Sequence, residues 1–222
     1  MLLAVDCGNT NIVMSVFDDE AICCQWRLET KGPHSGKAYL DVLTQQRTKI
    51  SCSPQDIDGC VIASVVLDIT PHLSSFATNI LGVVPVIVGA PGVTLALEID
   101  IDNPAEVGAD RLVNAVAVAH LGLVPAIVVD FGTATTFDIV RTAQTDKQKA
   151  CYAGGVISPG VHRSSEALAM AAAQLPQISV DQFDAQLPVL GTSTVSAMRS
   201  GVLWGYVGLV EGILARLEAE AG

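Results

Sequence analysis

Short apolar runs alternate with polar turns along this chain, and two of the runs lead into the same arrangement of residues. The first arrangement spans residues 2–17 and the second spans residues 126–138. In each, an apolar run ends at an aspartate, a glycine follows two positions later, and apolar residues resume after a polar turn. The aspartates, Asp6 and Asp130, are 124 positions apart, and so are the two glycines. The pattern predicts a β-hairpin at the start of each half of the chain, as an ancient duplication would leave it.

Both predicted turns bring a carboxylate, backbone N–H groups and polar side chains to one end of a strand. The second turn carries the hydroxyls of Thr133, Thr135 and Thr136 beside Gly132. Such donors suit a phosphate group, and the carboxylate suits the cation that accompanies it. An ordinary hairpin is the alternative, since turns rich in Gly and Thr are common. A pair of such hairpins resembles the superfamily of actin, the sugar kinases and the heat-shock chaperones, and this resemblance implies the fold.

The segments after the first hairpin complete one half of such a fold. Apolar spacing predicts a strand, a helix, a strand, a helix and a strand over residues 21–28, 37–48, 60–65, 70–81 and 83–88. Residues 54–58 are predicted as a loop that leads into the strand at residue 60, although residues 51–54 could also begin a short helix. The order β-β-β-α-β-α-β is typical of a ribonuclease-H-like half.

The second half is predicted from the same kinds of signal. A helix over 104–121 precedes the second hairpin, and a strand over 151–157 and helices over 161–175 and 192–221 follow it, with polar loops at 142–149 and 176–188. Residues 153–160 contain three glycines and a proline, which is too irregular for a strand interior and suits a backbone close to a ligand. We predict an α/β fold of two ribonuclease-H-like halves with mixed sheets flanked by helices, divided into domains 1–115 and 116–222.

The predicted C-terminal helix contains an unusual number of glycines. Four lie inside it, at Gly201, Gly205, Gly208 and Gly212. Each interior glycine costs about 1 kcal/mol relative to alanine, and the four together cost roughly 4 kcal/mol. Close packing would offset this cost, either against a second subunit or against the predicted helix at 104–121. We expect a homodimer through this helix.

Composition excludes several classes of function. Half of the 222 residues are hydrophobic, and the formal charge of −11 argues against nucleic acid and anionic membranes as partners. An uncharged stretch of eighteen residues at 112–129 approaches the length of a membrane span, but a buried helix followed by a strand fits its Asn, Gly and Pro better. Six cysteines lack metal-binding spacing, and a strand that begins at Leu2 leaves no room for a targeting segment. We therefore expect a soluble cytoplasmic protein with reduced thiols.

The start of the helix predicted at 104–121 carries a second candidate site. Gly108 allows close backbone approach, and Asp110 and Arg111 follow in or just before the first turn. Aspartate is favoured near a helix N-terminus by the helix dipole, so plain helix-end chemistry is one interpretation. Arginine is not favoured there, which indicates a ligand or partner carboxylate as the other.

With these segments placed, the sequence resembles the type III pantothenate kinases over nearly its whole length. The matching motifs are D-C-G-N-T at 6–10, W-R at 26–27, N-P-A-E-V-G-A-D-R at 103–111, D-F-G-T-A-T-T at 130–136, G-G-V-I-S-P-G at 154–160 and S-T-V-S-A-M-R-S-G at 193–201. The order and spacing of these motifs together make the resemblance specific.

The resemblance implies roles for particular residues. An ATP site would be lined by Asp6, Cys7, Gly8, Asn9, Thr10, Asn11, Ile12 and Val13, with Thr133 from the second hairpin. Asp6 would meet Mg²⁺ through Mg-ATP, and Asp130 would hold a monovalent cation, K⁺ or NH₄⁺. Pantothenate would be bound by Gly108, Ala109, Asp110, Arg111 and Thr194. Asp110 would be the general base that takes the proton from the substrate hydroxyl, and Arg111 suits the substrate carboxylate. The family is dimeric, which agrees with the homodimer expected above.

Two departures from the family pattern stand out. Ile101 occupies a position where the family usually has a tyrosine that contacts pantothenate. Relatives also usually continue beyond the long helix with a strand, a glycine-rich turn and a last helix, so we expect a shortened second half.

The resemblance predicts ATP-dependent phosphorylation of pantothenate to 4'-phosphopantothenate, the first step of coenzyme A biosynthesis. Two alternatives are a non-catalytic regulator like the Bvg accessory factors and a kinase of another small alcohol. The presence of Asp6, Asp110 and Asp130 favours an enzyme, because a regulator has no need of all three carboxylates.

Overall fold

The computed structural model describes residues 1–32, 34, 36–46, 53–144, 148–171, 175–180, 184 and 186–221. The chain divides into two compact units, the first comprising Met1–Ala96 and Asp102–Ala117 and the second Leu97–Ile101 and Val118–Gly222. Parts of some predicted segments lie outside the described residues. These are the end of the helix at 37–48, the start of the alternative helix at 51–54, residues 172–174 of the helix at 161–175, and parts of the loops at 142–149 and 176–188.

The first unit contains a five-stranded mixed sheet in the order β3-β2-β1-β4-β5. An antiparallel meander is formed by β1 (Leu2–Cys7), β2 (Asn11–Asp18) and β3 (Ala21–Glu29), whereas β4 (Gly59–Ser64) pairs in parallel with β1. The last strand, β5 (Val86–Ile87), is shorter than the predicted 83–88. Pro85 precedes it directly, and proline has no N–H to give to a strand ladder.

One face of this sheet builds the core of the first unit. Alternate residues of β1 point inward, and Leu3, Val5 and Cys7 are all buried. The core is continued by α1 (Gly36–Gln46) and α2 (Thr70–Phe76), which contribute Tyr39, Leu43, Leu73 and Phe76. A π-helical turn, Ala77–Leu81, extends α2 to the predicted end of this helix, where Gly82 adopts a left-handed conformation. The predicted order of elements in this half is confirmed.

The second unit contains a four-stranded sheet in the order β6-β9-β8-β7. The predicted second hairpin is confirmed as β7 (Ala126–Phe131) and β8 (Ala134–Thr142). The third strand, β9 (Ala150–Pro159), pairs antiparallel with β8, and β6 (Glu98–Ile99) pairs in parallel with β9. The sequence did not predict β6, because a strand of two residues carries no periodic signal. The two mixed sheets and their flanking helices confirm the predicted α/β class.

The expectation that residues 153–160 are too irregular for a strand is wrong. The strand β9 runs through both glycines and ends at Pro159. Gly154 has a φ of 102°, and the pairing with β8 shifts between Asp138 and Val140. The glycine therefore sits at a bulge, where it lets the strand continue past a local irregularity.

The helix predicted over 104–121 is also corrected. A 3₁₀ turn covers Pro104–Glu106, Val107 is extended, and the helix α3 (Ala109–His120) begins only after Gly108. Asp110, and not Glu106, is therefore the acidic residue in the first turn of the helix.

The last two helices are α4 (Val161–Ala171) and α5 (Thr194–Ala221). A Cβ added at Gly201, Gly205 or Gly208 would meet no atom within 4 Å among the described residues, so those residues do not pack closely against these glycines. Within the described part of the chain, no helix combines the length and the apolar character needed to cross a membrane.

Candidate active site

The turn of the first hairpin is closed by backbone hydrogen bonds. The Gly8 amide donates to the Asn11 carbonyl at 2.9 Å, which joins the end of β1 to the start of β2. The side-chain hydroxyl of Thr30 donates to the Gly8 carbonyl at 2.6 Å, and the Thr30 amide donates to the Thr10 carbonyl at 2.9 Å. The turn is thus held at both of its ends by the residue that follows β3.

The residues of this turn divide into two groups by the direction of their side chains. Cys7 and Ile12 are fully buried, so only their backbone atoms can face a ligand. Burial raises the pKa of the Cys7 thiol. Asp6, Asn9 and Thr10 are exposed, and Gly8, Asn11 and Val13 are partly exposed. The exposed group matches what a phosphate site requires, namely short polar residues and backbone amides near a carboxylate.

The two turn glycines, Gly8 and Gly132, are not crowded by neighbouring atoms. A Cβ at Gly8 would lie 3.5 Å from the Asn11 carbonyl oxygen, and a Cβ at Gly132 would lie 3.4 Å from the Ala134 carbonyl oxygen. These are near-ordinary contacts, and neither glycine has a positive φ. Neither packing nor conformation therefore demands glycine at these positions. Glycine at these positions would allow a bulky anion to approach the backbone closely, as the predicted phosphate sites require.

Gly108 and Asp110 form a compact unit at the start of α3. The Arg111 amide donates to Oδ1 of Asp110 at 2.8 Å, so the carboxylate sits on the helix N-terminus. A Cβ at Gly108 would lie 2.5 Å from this same Oδ1 and 3.4 Å from a methyl group of Val65. The Asp110 carboxylate can therefore occupy this position only because residue 108 is a glycine. Within the described residues, no group donates to the other oxygen of Asp110, which leaves it able to accept a proton.

The first hairpin and the Gly108–Arg111 motif belong to the same unit. The Val65 amide donates to the Cys7 carbonyl at 3.0 Å, and Val65 also lies against Gly108. The end of β4 therefore lies between the predicted nucleotide turn and the predicted base. The fold brings these two motifs, which are about a hundred residues apart in the sequence, to one edge of the first sheet.

The second hairpin is supported by the start of α4. Asp130, Gly132 and Thr133 are exposed at its turn, and the Gly132 amide donates to the Ala134 carbonyl at 2.9 Å. The Gly160 amide donates to the Thr133 carbonyl at 3.2 Å. A Cβ at Gly160 would lie 2.5 Å from the Gly132 carbonyl oxygen, so this position requires glycine.

Polar side chains beneath the second hairpin hold it from inside the unit. Thr135 is buried and forms a hydrogen bond with the hydroxyl of Tyr206 on α5. Asp138 is fully buried and accepts hydrogen bonds from Tyr152 at 2.8 Å and from Thr136 at 3.2 Å. A buried carboxylate is stable only when it is hydrogen-bonded, and these hydroxyls supply two of the bonds.

Thr194 lies at the exposed first position of α5, directly after a reciprocal cap between Ser193 and Ser196. It lies twelve residues before Tyr206, which corresponds to about 18 Å along a helix. Among the described residues, no hydrogen bond joins Thr194 to the turn that carries Asp130 and Thr133.

Sequence reasoning assigned no role to Thr30 or to Asp138. An acidic residue inside an apolar strand is itself a signal, and Asp138 could have been found in this way. Thr30 gives no comparable signal, because its partners in the turn are about twenty residues away in the sequence. Ile101 lies in the second unit against Gly154, where a Cβ would be 3.7 Å from its side chain.

No cluster of three or more His, Cys, Asp or Glu side chains suited to a metal ion occurs among the residues that the structure describes. Lone carboxylates at strand ends can still meet a magnesium ion, which commonly takes its other ligands from water and phosphates. A cavity of about 340 Å³ lies between α4 and residues 177–180, and it is lined by none of the predicted site residues.

Comparison with known proteins adds an independent finding. A family model for type III pantothenate kinase matches residues 2–216. The type III pantothenate kinases of Rhodospirillum centenum and Paramagnetospirillum magneticum are 44% and 45% identical to the chain, over 99% and 100% of its length and 81% and 82% of theirs. A solved structure described as a Baf family transcriptional activator from Campylobacter jejuni superposes with a TM-score of 0.52 at 20% identity, and it covers 95% of this chain and 78% of its own. That likeness shows the fold alone.

Proposed function

The chain belongs to the type III pantothenate kinase family, and we propose that it uses ATP to phosphorylate pantothenate. The products are 4'-phosphopantothenate and ADP, and the reaction is the first step of coenzyme A biosynthesis. The family match over residues 2–216 carries the proposal. The position of Asp110 supports it, because this carboxylate is held at one oxygen and can accept a proton at the other.

The first unit supplies the base and part of the nucleotide site in this proposal. The turn amides around Gly8 would bind phosphate oxygens, and Asp6 would help to hold the magnesium ion that accompanies ATP. ATP supplies the phosphoryl group, and Mg²⁺ offsets its charge. Asp110 accepts the proton of the pantothenate hydroxyl while that oxygen bonds to the γ-phosphorus and the bond to the ADP oxygen breaks. Arg111 pairs with the pantothenate carboxylate.

The second unit carries the remaining residues of the proposal. Thr133 contacts ATP from the exposed turn, and Asp130 holds a monovalent cation, K⁺ or NH₄⁺. The exposure of both residues at the hairpin turn supports these roles. A monovalent cation at Asp130 would supply positive charge in a protein whose own formal charge is −11.

Thr194 and the glycines of α5 support a homodimer. Thr194 is exposed at the start of α5, so it is accessible to a second copy of the chain. The space beside Gly201, Gly205 and Gly208 is open among the described residues, and a second copy of α5 could fill it. Cys7, Cys23, Cys60 and Cys151 are free thiols, and reduced thiols are typical of proteins of the cytoplasm.

One experiment tests the reaction. ADP release by the purified protein is measured with ATP, Mg²⁺ and K⁺, with and without pantothenate. We expect ADP release that depends on pantothenate, together with 4'-phosphopantothenate detected by mass spectrometry. ATP binding without turnover would favour a non-catalytic relative. Turnover with another small alcohol but not with pantothenate would favour a different kinase, for which Ile101 in place of the family tyrosine is the sequence feature to examine.

A further inference from the structure

Thr30 holds the first hairpin turn at two points. Its hydroxyl donates to the Gly8 carbonyl at 2.6 Å, and its amide donates to the Thr10 carbonyl at 2.9 Å. The side chain is only 7% exposed, so water competes little for the hydroxyl bond. Both acceptors belong to the turn on which the nucleotide proposal depends.

These two bonds determine where the neighbouring amides point. In a trans peptide the C=O and the following N–H point in opposite directions. A Gly8 carbonyl directed at Thr30 therefore turns the Asn9 amide away from Thr30, toward the exposed side of the turn. Within the described residues, the Asn9 amide has no acceptor in the chain, and Asn9 is exposed. It is therefore available to a phosphate oxygen.

Thr30 is in turn held from the core of the first unit. Its carbonyl accepts a hydrogen bond from Nε2 of His34, and Nδ1 of His34 lies 2.8 Å from the hydroxyl of Tyr39. A carbonyl can only accept, so Nε2 of His34 carries a proton, and Nδ1 shares a hydrogen bond with the Tyr39 hydroxyl. Burial raises the pKa of Tyr39 to about 12, so this phenol keeps its proton. Tyr39 is fully buried and packs on Phe76 with ring centroids 5.4 Å apart, which anchors the chain of bonds.

The second hairpin contains half of the same device. Gly160 follows β9 directly, as Thr30 follows β3, and its amide donates to the Thr133 carbonyl at 3.2 Å. Carbonyl oxygens of the turn occupy the space where a side chain at this position would lie. The amide bond is thus common to both hairpins, and the hydroxyl bond is particular to the first.

We propose that Thr30 is a positioning residue for nucleotide binding, whose hydroxyl holds the Gly8 carbonyl inward and so directs the Asn9 amide at a phosphate of ATP. His34 and Tyr39 keep Thr30 in place. This inference rests on the proposed function, because only a bound nucleotide gives the direction of this amide a role.

The test compares Thr30→Val with Thr30→Ser. Valine keeps the shape and the amide but loses the hydroxyl, whereas serine keeps the hydroxyl. We expect Thr30→Val to raise the Kd for MgATP about fivefold, the effect of one lost hydrogen bond, and Thr30→Ser to restore most of the affinity. In turnover, the KM for ATP should rise while the KM for pantothenate stays unchanged.

Ser15→Ala is the matched control. Ser15 is also a buried hydroxyl residue of the first sheet, and it accepts a hydrogen bond from Gln25 at 3.0 Å. Its loss should lower stability without changing the Kd for MgATP. Tyr39→Phe is a milder variant that removes only the hydroxyl facing His34, and it should shift the Kd in the same direction by a smaller factor. It also tests the proposal should Thr30→Val not fold.

Hydrogen exchange gives a readout that needs no turnover. The Gly8 amide, which is bonded to Asn11, should exchange faster in Thr30→Val and at the wild-type rate in Ser15→Ala. Unchanged exchange, an unchanged Kd, or equal losses in the valine and serine variants would overturn the positioning role. A wild-type protein that lacks kinase activity would overturn the proposed function instead, and the exchange and MgATP titration would still decide the role of Thr30.

Discussion

The two hairpins share a sequence pattern but are held in different ways. The first turn is held by the side chain and the amide of Thr30, and behind Thr30 stand His34 and the buried Tyr39. The second turn is held by the amide of Gly160, in a position where the turn leaves no room for a side chain. A side-chain bond can be removed without disturbing the backbone, whereas tight backbone packing cannot. Turns of similar sequence can therefore differ in how they respond to mutation.

The first strands of the two hairpins, β1 and β7, also differ in their burial and in the number of strands that they pair with. In the first unit, β1 lies between β2 and β4, and every second residue of β1 is buried. In the second unit, β7 pairs only with β8 among the described residues, and none of its residues is fully buried. Asp6 and Asp130 are nevertheless both exposed at the ends of these strands. Position at the strand end, and not burial of the strand, is the property that the two carboxylates share.

The largest effect is expected from the loss of the Asp110 carboxylate in the first unit. Asp110→Asn should lower kcat at least about a hundredfold, because the amide cannot accept the hydroxyl proton. The Arg111 amide can still donate to the remaining carbonyl oxygen, so the fold should persist. Steady-state kinetics and circular dichroism measure the two effects.

Glu106→Gln is the control for this prediction. Glu106 is an exposed acid on the neighbouring 3₁₀ turn, where it accepts a hydrogen bond from Asn103. The Glu106→Gln substitution should leave kcat unchanged. Near-wild-type turnover in Asp110→Asn would remove the assignment of this residue as the base.

A pair of glycine substitutions tests the difference between the hairpins directly. Gly160→Ala places a Cβ against backbone carbonyls and should lower the free energy of unfolding by about 1–3 kcal/mol. Gly8→Ala meets only an ordinary contact, so stability should hold or rise by up to about 1 kcal/mol while the Kd for MgATP increases. Denaturant titration and MgATP titration give the two numbers. Equal stability losses in both variants would contradict the proposed difference.

The next prediction concerns the cation of the second hairpin. Asp130 is exposed beside the turn, and we expect activity to be several-fold higher in KCl or NH₄Cl than in NaCl at matched ionic strength. Asp130→Asn should remove most of this preference. Equal rates of wild-type turnover in all three chlorides would argue against a specific monovalent site.

The smallest effect on the single chain is expected from Gly205→Leu in α5. A Cβ at this position has no described atom within 4 Å outside the backbone of its own helix, so the monomer should fold, but the leucine side chain would block close approach of a second helix. Light scattering should show a dimer for the parent and a folded monomer for the variant. A stable dimer of the variant would exclude this helix as the interface.

Much of the fold could be predicted from the chain alone. Local alternation and helical spacing predict both hairpins, the strands β3 and β9, and the helices that lie at 36–46, 70–81 and 194–221. The errors arose where a local signal was ambiguous. The glycines of β9 predicted a break in the strand, but the strand continues through them with a bulge. The helix predicted to begin at Pro104 begins at Ala109, because Val107 is extended.

The candidate site divides in the same way. Each D-x-G turn and the Gly108–Arg111 motif is a continuous stretch of residues, so the residues of each motif and the family that they resemble can be read from the sequence. The bonds from Thr30 to Gly8, from Gly160 to Thr133 and from Tyr152 to Asp138 are visible only in the folded structure. They depend on which strands are neighbours and in what register they pair. No local pattern encodes that pairing, because hydrogen bonds between distant segments exist only once the sheet has formed.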